Sequence, residues 1–276
     1  MNRTTACTTD RSAANRFAAA LCLCMFTASG CGGSIGYWKF DEGSGVTAID
    51  SAGANPGAIK GNVAYTGGGL NSAPIADNAD ALHFSESPLV SHQNVVLVKS
   101  SASLEVQAFR VSAWVRNKGA PSMFSYILNK NLQTGRGSYA LYTHDSGGLM
   151  FYVTAVDTSS GNMRLRKSPD AGTSVWDGNW HLVEGRVDRT GVHLCVDGRD
   201  FGAGDQLSAT ERVAYGADLG ANSLYFRGDL TIGNFGTEPF PHNYHPEYFR
   251  WRGDIDEVQI AHVVSGHVCS RPKANH

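Results

Sequence analysis

Residues 175–198 read VWDGNWHLVEGRVDRTGVHLCVDG. The stretch spells two strands and a tight turn. His181, Val183, Gly185 and Val187 share one parity in its first half, and Val192, Leu194 and Val196 share one in its second. A period of two is what a strand with one buried face produces. Asp188, Arg189, Thr190 and Gly191 carry the turn chemistry between the halves, and Asp197 with Gly198 opens a second hairpin turn. Cys195 has the opposite parity to Val192, Leu194 and Val196, which turns it away from that apolar layer.

The same pattern recurs outward from this hairpin. Residues 109–116 (FRVSAWVR) alternate cleanly, residues 95–98 (VVLV) form a short apolar run, and residues 36–40 (GYWKF) place Trp38 and Phe40 on one face. Further strands are expected at 58–60, 63–65, 81–84, 123–130, 138–143, 149–154, 230–233 and 249–260, separated by Gly, Asn or Asp turns. The loop 202–222 is expected to hold one helical turn near 209–213, and a second insertion, 236–248, is rich in His, Pro and aromatics. The 276-residue chain has 32 Gly and only 17% charged residues, a composition that suits many short strands and turns. A net charge of −2 leaves no electrostatic footprint for nucleic acid.

Four segments together carry a family resemblance. "D-G-x-W-H-x-V … D-x-x-G … L-x-V-D-G" at the central hairpin, "W-x-F-D-E-G-S-G … D-S-A-G" from Trp38, "F-x-V-S-A-W-V" at 109–115 and "F-x-W-x-G-x-I-D-E-V-x-I" at 249–260 resemble bacterial laminin-G-like domains. These belong to the concanavalin A-like lectin/glucanase group. The resemblance covers roughly residues 36–261 and implies an all-β, two-sheet antiparallel β-sandwich jelly roll. The domain is expected at 36–264, after a tether at 32–35 and before a tail at 265–276 that is loose apart from Cys269.

The first 31 residues are expected to be a targeting segment. Arg3, Arg11 and Arg16 precede an apolar run at 17–26 that is too short to span a bilayer comfortably. Ala28-Ser29-Gly30-Cys31 resembles a lipobox, in which Cys31 would take a lipid; the other reading is an ordinary secretory signal with Cys31 incidental. Either way the protein is expected to be exported, lipid-anchored in a bacterial cell envelope or secreted. Of the six Cys, only Cys195 and Cys269 fall in the folded part. In an oxidising compartment they either form a bridge that ties down the tail or remain two thiols.

Three constellations can carry chemistry. The first is a calcium site. Asp256 shares parity with Val258 and Ile260 and is expected to point inward, where a carboxylate needs donors or a cation. The family places the first and last strands side by side, which would bring Asp41 and Asp50 near Asp256; it also implies Ca²⁺ in many members. The alternative is Asp256 bound by backbone N–H groups of the Asp50 turn. The second is glucanase chemistry, whose "E-x-D-x-x-E" strand supplies nucleophile and acid/base. Here Asp254 stands at the first position and Gln259, which cannot donate as an acid, at the third, so no catalytic activity is expected. The third is a carbohydrate-binding rim. Asn243, Tyr244, Tyr248, Trp251 and Asp254 combine aromatic faces for sugar C–H groups with polar acceptors for hydroxyls. His242, His245 and Glu247 are too loosely spaced to specify zinc.

The function these observations favour is a non-catalytic recognition module at the cell surface. Its partner would be a glycan or a glycosylated, matrix-like or cell-envelope protein, with Ca²⁺ as an assisting ion and contact with a membrane only through a lipid anchor. The competing readings are a structural envelope protein and a glycoside hydrolase or lyase of the same fold.

Overall fold

Why residues 175–198 fold as they do is visible in a computed structural model of the chain, which describes residues 33–66, 75, 78–85, 94–133, 136–219, 228–236, 249–264 and 266–272. Among these the strands are, in order, β1 (Ser34–Trp38), β2 (Thr47–Ala48), β3 (Gly57–Lys60), β4 (Val63–Tyr65), β5 (Leu82–Phe84), β6 (Val95–Val98), β7 (Phe109–Lys118), β8 (Tyr126–Gln133) and β9 (Arg136–Thr143). They continue with β10 (Leu149–Asp157), β11 (Met163–Lys167), β12 (Asp177–Asp188), β13 (Gly191–Val196), β14 (Arg199–Ala203), β15 (Glu211–Val213), β16 (Leu230–Ile232) and β17 (Gly253–His262).

The strands form two antiparallel sheets. One has eight strands in the order β14-β13-β12-β7-β17-β5-β4, with β1 also paired to β17. The other has nine, in the order β11-β10-β9-β8-β16-β6-β3-β2, with β15 on β10. The first and last strands are therefore neighbours, with Trp38 opposite Val258. The hairpin β12–β13 pairs Val183 with Val196 and Val187 with Val192, as the alternation requires.

The inner faces make one core. Val111, Ala113 and Val115 of β7, Val183 of β12, Leu194 of β13 and Val258 and Ile260 of β17 meet Ile127, Leu141, Phe151, Val153 and Ile232 of the other sheet. Each such aliphatic side chain contributes roughly 1.5–3 kcal/mol by leaving water. Phe109 joins the sheets at its edge, with ring centroids 4.6 Å from Tyr139 and 6.3 Å from Phe151. Gly185 sits under the Phe151 ring, where an added Cβ would lie 2.2 Å from Cγ, so only glycine lets the sheets approach here.

Several boundaries differ from expectation. β1 begins at Ser34, inside the stretch assigned to a tether, because Ser34 pairs with Ala261. Residues 211–213 are a strand and not a helical turn: they pair with β10, and a short 3-10 helix follows at Gly216–Leu219. The tail is not loose between 266 and 272, because it is bonded across the outer face of the eight-stranded sheet, as shown below. Among the described residues no helix is long and apolar enough to cross a membrane.

Candidate functional site

The outer face of the eight-stranded sheet is polar, and its organisation begins with the hairpin. His181 lies between two carboxylates: Nδ1 is 2.7 Å from Asp197 Oδ2 and Nε2 is 3.2 Å from Asp177 Oδ1. Burial alone would lower the His181 pKa, but bonding to Asp197 and Asp177 outweighs it and the net shift is upward. Asp197 also accepts the Leu182 N–H at 2.8 Å. His181 of the Trp-His pair and Asp197 of Val-Asp-Gly thus form a clamp that fixes the hairpin ends. Trp180 stacks on Arg116 at 4.8 Å, and Arg116 donates to Asp254 at 2.7 Å.

Asp254 was expected at a sugar-binding rim. Its second oxygen lies 2.7 Å from His83 Nδ1, so both oxygens are engaged within the sheet. Trp251 is a correction. It is fully buried in the main core, 5.4 Å from the Trp176 ring, because the segment before β17 is bonded to the end of β16 through Trp251 N–H and the Gly233 carbonyl, and it exposes no face to a ligand. Asn243, Tyr244 and Tyr248, like Cys31, lie outside the described residues.

Across the middle of the sheet runs a groove of about 230 Å³. Arg110, Ser112 and Trp114 of β7 form its floor with Glu257 and Gln259 of β17, and Tyr37 of β1 with Ile75 stands on one side. Ser270 and Arg271 of the C-terminal tail stand on the other, above Leu182. Arg110 donates to Gln259 Oε1 at 2.8 Å and lies 3.5 Å from Glu184 Oε2. Gln259 donates in turn to Ser34 Oγ at 2.5 Å. The position where the glucanase frame needs an acid is therefore an amide held from both ends.

The tail is fastened to this face by a disulfide. Cys195 and Cys269 are bridged, and both are buried. Cys195 lies on the outer face, as its parity indicated, opposite Glu184. Glu184 accepts Ser270 Oγ at 2.5 Å and faces His267 Nε2 at 2.8 Å, while Arg186 donates to the His267 carbonyl at 2.7 Å.

One end of the groove opens on an acidic corner. The last strand is bulged between Asp256 and Gln259, and Glu257 has a φ of 50°. This left-handed residue resets the alternation, so that Ile255, Val258 and Ile260 all enter the core. Asp256 is excluded from that face, which corrects the parity argument for its inward direction. It is nonetheless fully buried, under the loops that carry Asp41 and Asp80. Its partners are Asn78 Nδ2 at 2.8 Å and its neighbour's N–H, from Glu257, at 2.8 Å. Burial, reinforced by the like charges of Asp41 and Asp80, pushes its pKa up to about 8.

Asp50 is a second correction. Oδ1 accepts the N–H groups of Tyr37 at 2.8 Å and Ala52 at 3.0 Å, and Oδ2 accepts the Asn55 N–H at 3.0 Å and Asn55 Nδ2 at 3.1 Å. Four donors satisfy this carboxylate, and it serves the turn after β1 rather than the corner. In its place stands Asp80, which sequence reading missed. Asp80 is buried, and its Oδ1 has no hydrogen-bond partner. Its signal in the sequence is an acid directly before Ala81-Leu82-His83-Phe84, the strand that pairs with β17 beside Asp254.

Asp41, Asp80 and Asp256 gather negative charge at this corner, but their oxygens do not all lie within 4.8 Å of one another; among the described residues Asp80 Oδ1 has no hydrogen-bond partner, and Asp41 Oδ1 accepts the Ala79 N–H at 3.3 Å. Asn78 Nδ2 bridges Asp256 and Glu257 Oε1, at 3.0 Å from the latter, with an amide edge where positive charge is needed. The one described set of three His, Cys, Asp or Glu ligand atoms within 4.8 Å of one another is Cys195, Asp200 and Cys269, where the bridged sulfurs are not available as thiolates.

A two-sheet sandwich of this topology, with a polar groove on one outer face, defines the concanavalin A-like class. The chain belongs to the laminin G-type family described as the Concanavalin A-like lectin/glucanases superfamily, whose model matches residues 91–265, more than half of the sequence. No curated protein sequence matches the chain significantly. Among solved structures it is similar to domain 4 of AbnA, a GH43 extracellular arabinanase from Geobacillus stearothermophilus in complex with arabinotriose. That match has 16% identity and a TM-score of 0.51, and covers 84% of this chain and 93% of the other. It is also similar to the botulinum neurotoxin serotype D/C VPI 5993 binding domain, at 13% identity and TM-score 0.50, covering 83% of this chain and 48% of the other. The chain thus spans about half of the neurotoxin domain. At these identities the likeness is one of fold, and the fold serves binding modules and glycosidases alike.

Proposed function

We propose that this protein is an exported, non-catalytic carbohydrate-recognition module whose ligand lies in the groove over β7 and β17, next to an acidic corner where Ca²⁺ would draw Asp41, Asp80 and Asp256 together. The observation that carries the reading is Glu257. The bulge places its side chain in the groove wall, while Asn78 links it to Asp256 in the acidic corner. A cation at the corner would supply charge balance and fix the bulge, and through it the groove. Trp114 and Tyr37 offer aromatic surface, and Arg110, Ser112, Gln259 and Glu257, already bonded to one another or to Ser34, Asn78 and Tyr37, would share those bonds with ligand hydroxyls. The arabinotriose-bound domain of the arabinanase supports a glycan as the class of ligand. The non-catalytic assignment rests on Gln259 at the acid position and on Asp254, both of whose oxygens are engaged. The character of the first 31 residues supports export, either anchored through Cys31 to a bacterial envelope or secreted, which completes the proposal.

The test is binding of the full-length protein to a glycan array in Ca²⁺ and in EDTA, with Asp256→Asn alongside. Binding that EDTA and Asp256→Asn both abolish is the expected result. Binding insensitive to both would remove the metal from the site. An absence of binding in either buffer would leave the protein-partner reading, tested by recovery of a fixed partner from envelope extracts.

A further inference from the structure

The floor of the groove is continuous with the outer faces of β12 and β13, because the sheet runs β13-β12-β7-β17 without interruption. A chain-like ligand crossing β17 and β7 would naturally continue over β12. That path is closed. Glu184 on β12 and Cys195 on β13, which face each other in register, are each about 1% exposed. What covers them is the segment 266–272: the disulfide holds Cys269 over β13, and Ser270 and His267 hold Glu184. Arg271 then lies on the turn after β13, so close that a Cβ at Gly198 would meet its Cγ at 2.5 Å. Ser270 and Arg271 are at once strap and groove wall.

We propose that this disulfide-fastened strap determines ligand length: it closes the groove on the β12 side, so that the site takes the end of a glycan and not the interior of a chain. The inference rests on the carbohydrate reading above. The cavity agrees with it, since about 230 Å³ is below the roughly 300–1,000 Å³ of sites for drug-sized ligands. Ser270 and Arg271 make the closed side of the groove polar, and the Ser270 oxygen, whose hydrogen goes to Glu184, can still accept from a terminal hydroxyl.

The experiment measures binding of the full-length protein to trimers and hexamers of α-1,5-arabinose, β-1,4-xylose and β-1,4-glucose, in the unaltered protein, in Cys195→Ser/Cys269→Ser, and in Ser270→Trp. With the strap fastened, trimer and hexamer of the preferred sugar should bind within about twofold of each other. With it released, the hexamer should gain about tenfold over the trimer, because added units then contact β12 and β13. Ser270→Trp keeps the disulfide but loses the hydroxyl bond to Glu184, so its thermal stability should fall by less than that of Cys195→Ser/Cys269→Ser while trimer binding falls by about tenfold or more. A hexamer preference in the unaltered protein, or an unchanged ratio on release together with full binding by Ser270→Trp, would overturn the strap's role and leave carbohydrate binding standing. No binding of any oligosaccharide by any of the three proteins would instead overturn the carbohydrate reading, and the strap's role with it.

Discussion

The central hairpin and the acidic corner are both built around clustered carboxylates, exposed at the first and partly buried at the second, yet they end in opposite states. At the hairpin, Asp197 and Asp177 receive His181, backbone N–H groups and Asn179. Each negative charge has an answer from within the same twenty-odd residues. At the corner, Asp41, Asp80 and Asp256 come from three distant segments, the like charges of the first two act on the third, and one asparagine amide lies between Asp256 and Glu257. A satisfied cluster stabilises a fold by itself, and an unsatisfied one stores a cost that a ligand can relieve. The two regions should therefore respond differently to every perturbation that distinguishes internal bonding from added charge.

The largest effect should come from the hairpin side. Cys195 sits on β13, and its bridge to Cys269 spans 74 residues. Converting both to Ser removes a cross-link that constrains the unfolded chain by about 4 kcal/mol in the chain-entropy account. The loss in denaturant melts should be equal in Ca²⁺ and EDTA. A loss that appears only in EDTA would mean that strap and corner are coupled and that the two regions are not independent.

Next comes the corner itself. Millimolar Ca²⁺ should raise the melting temperature, with about 2.7 kcal/mol gained at a hundredfold excess over Kd. Asp256→Asn should erase this gain and, in EDTA at pH 7, should stabilise the protein by on the order of 1–2 kcal/mol by removing a desolvated carboxyl. The sign of that second result is decisive. A destabilised Asp256→Asn in EDTA would show that Asp256 is already satisfied, like Asp50, and would erase the contrast drawn here.

Smaller again is the removal of the clamp. His181→Ala should cost about 1 kcal/mol, a modest figure because the carboxylates it bridges are partly open to solvent. Calcium should change neither the cost nor its sign.

This contrast also explains what could be read before any coordinates. Two-sheet architecture, the pairing of β12 with β13, the outward direction of Cys195 and the adjacency of first and last strands all follow from local alternation and turn residues, or from family patterns that encode them. The His181 clamp is local in sequence, so its residues travel together as one pattern. The corner is not. The bulge at Glu257 breaks the period-two rule at the one place where the direction of Asp256 mattered. Asp50 and Asp80 look alike as isolated acids before a turn and a strand. What separates them is that four donors fold around the first, and none reaches Oδ1 of the second. Trp251 misled for a similar reason: its neighbours in sequence, Tyr244, Tyr248, Asn243 and Asp254, suggested a rim, while tertiary packing against Trp176 took the ring inside.

The smallest predicted effect separates the two regions by pH. The pKa of His181 is raised in the folded protein, so its protonated form favours folding. That contribution is complete below the unfolded value near 6.5 and is lost as pH rises through the higher folded value. Asp256 acts with the same sign over a lower window: the folded protein keeps its proton up to about 8, whereas an unfolded Asp releases it near 3.8, so stability falls between those values. The two slopes overlap near neutrality, and calcium tells them apart. Ca²⁺ favours ionised Asp256 and should flatten the lower slope, leaving the His181 slope in place. Subtracting the stability of His181→Gln from that of the unaltered protein, both in Ca²⁺, should leave a decline of less than about 1 kcal/mol from pH 6 to 8.5. A flat difference would show that Asp177 and Asp197 hold neutral His181 as well as they hold its cation, and that the hairpin is fastened by hydrogen bonds without net charge.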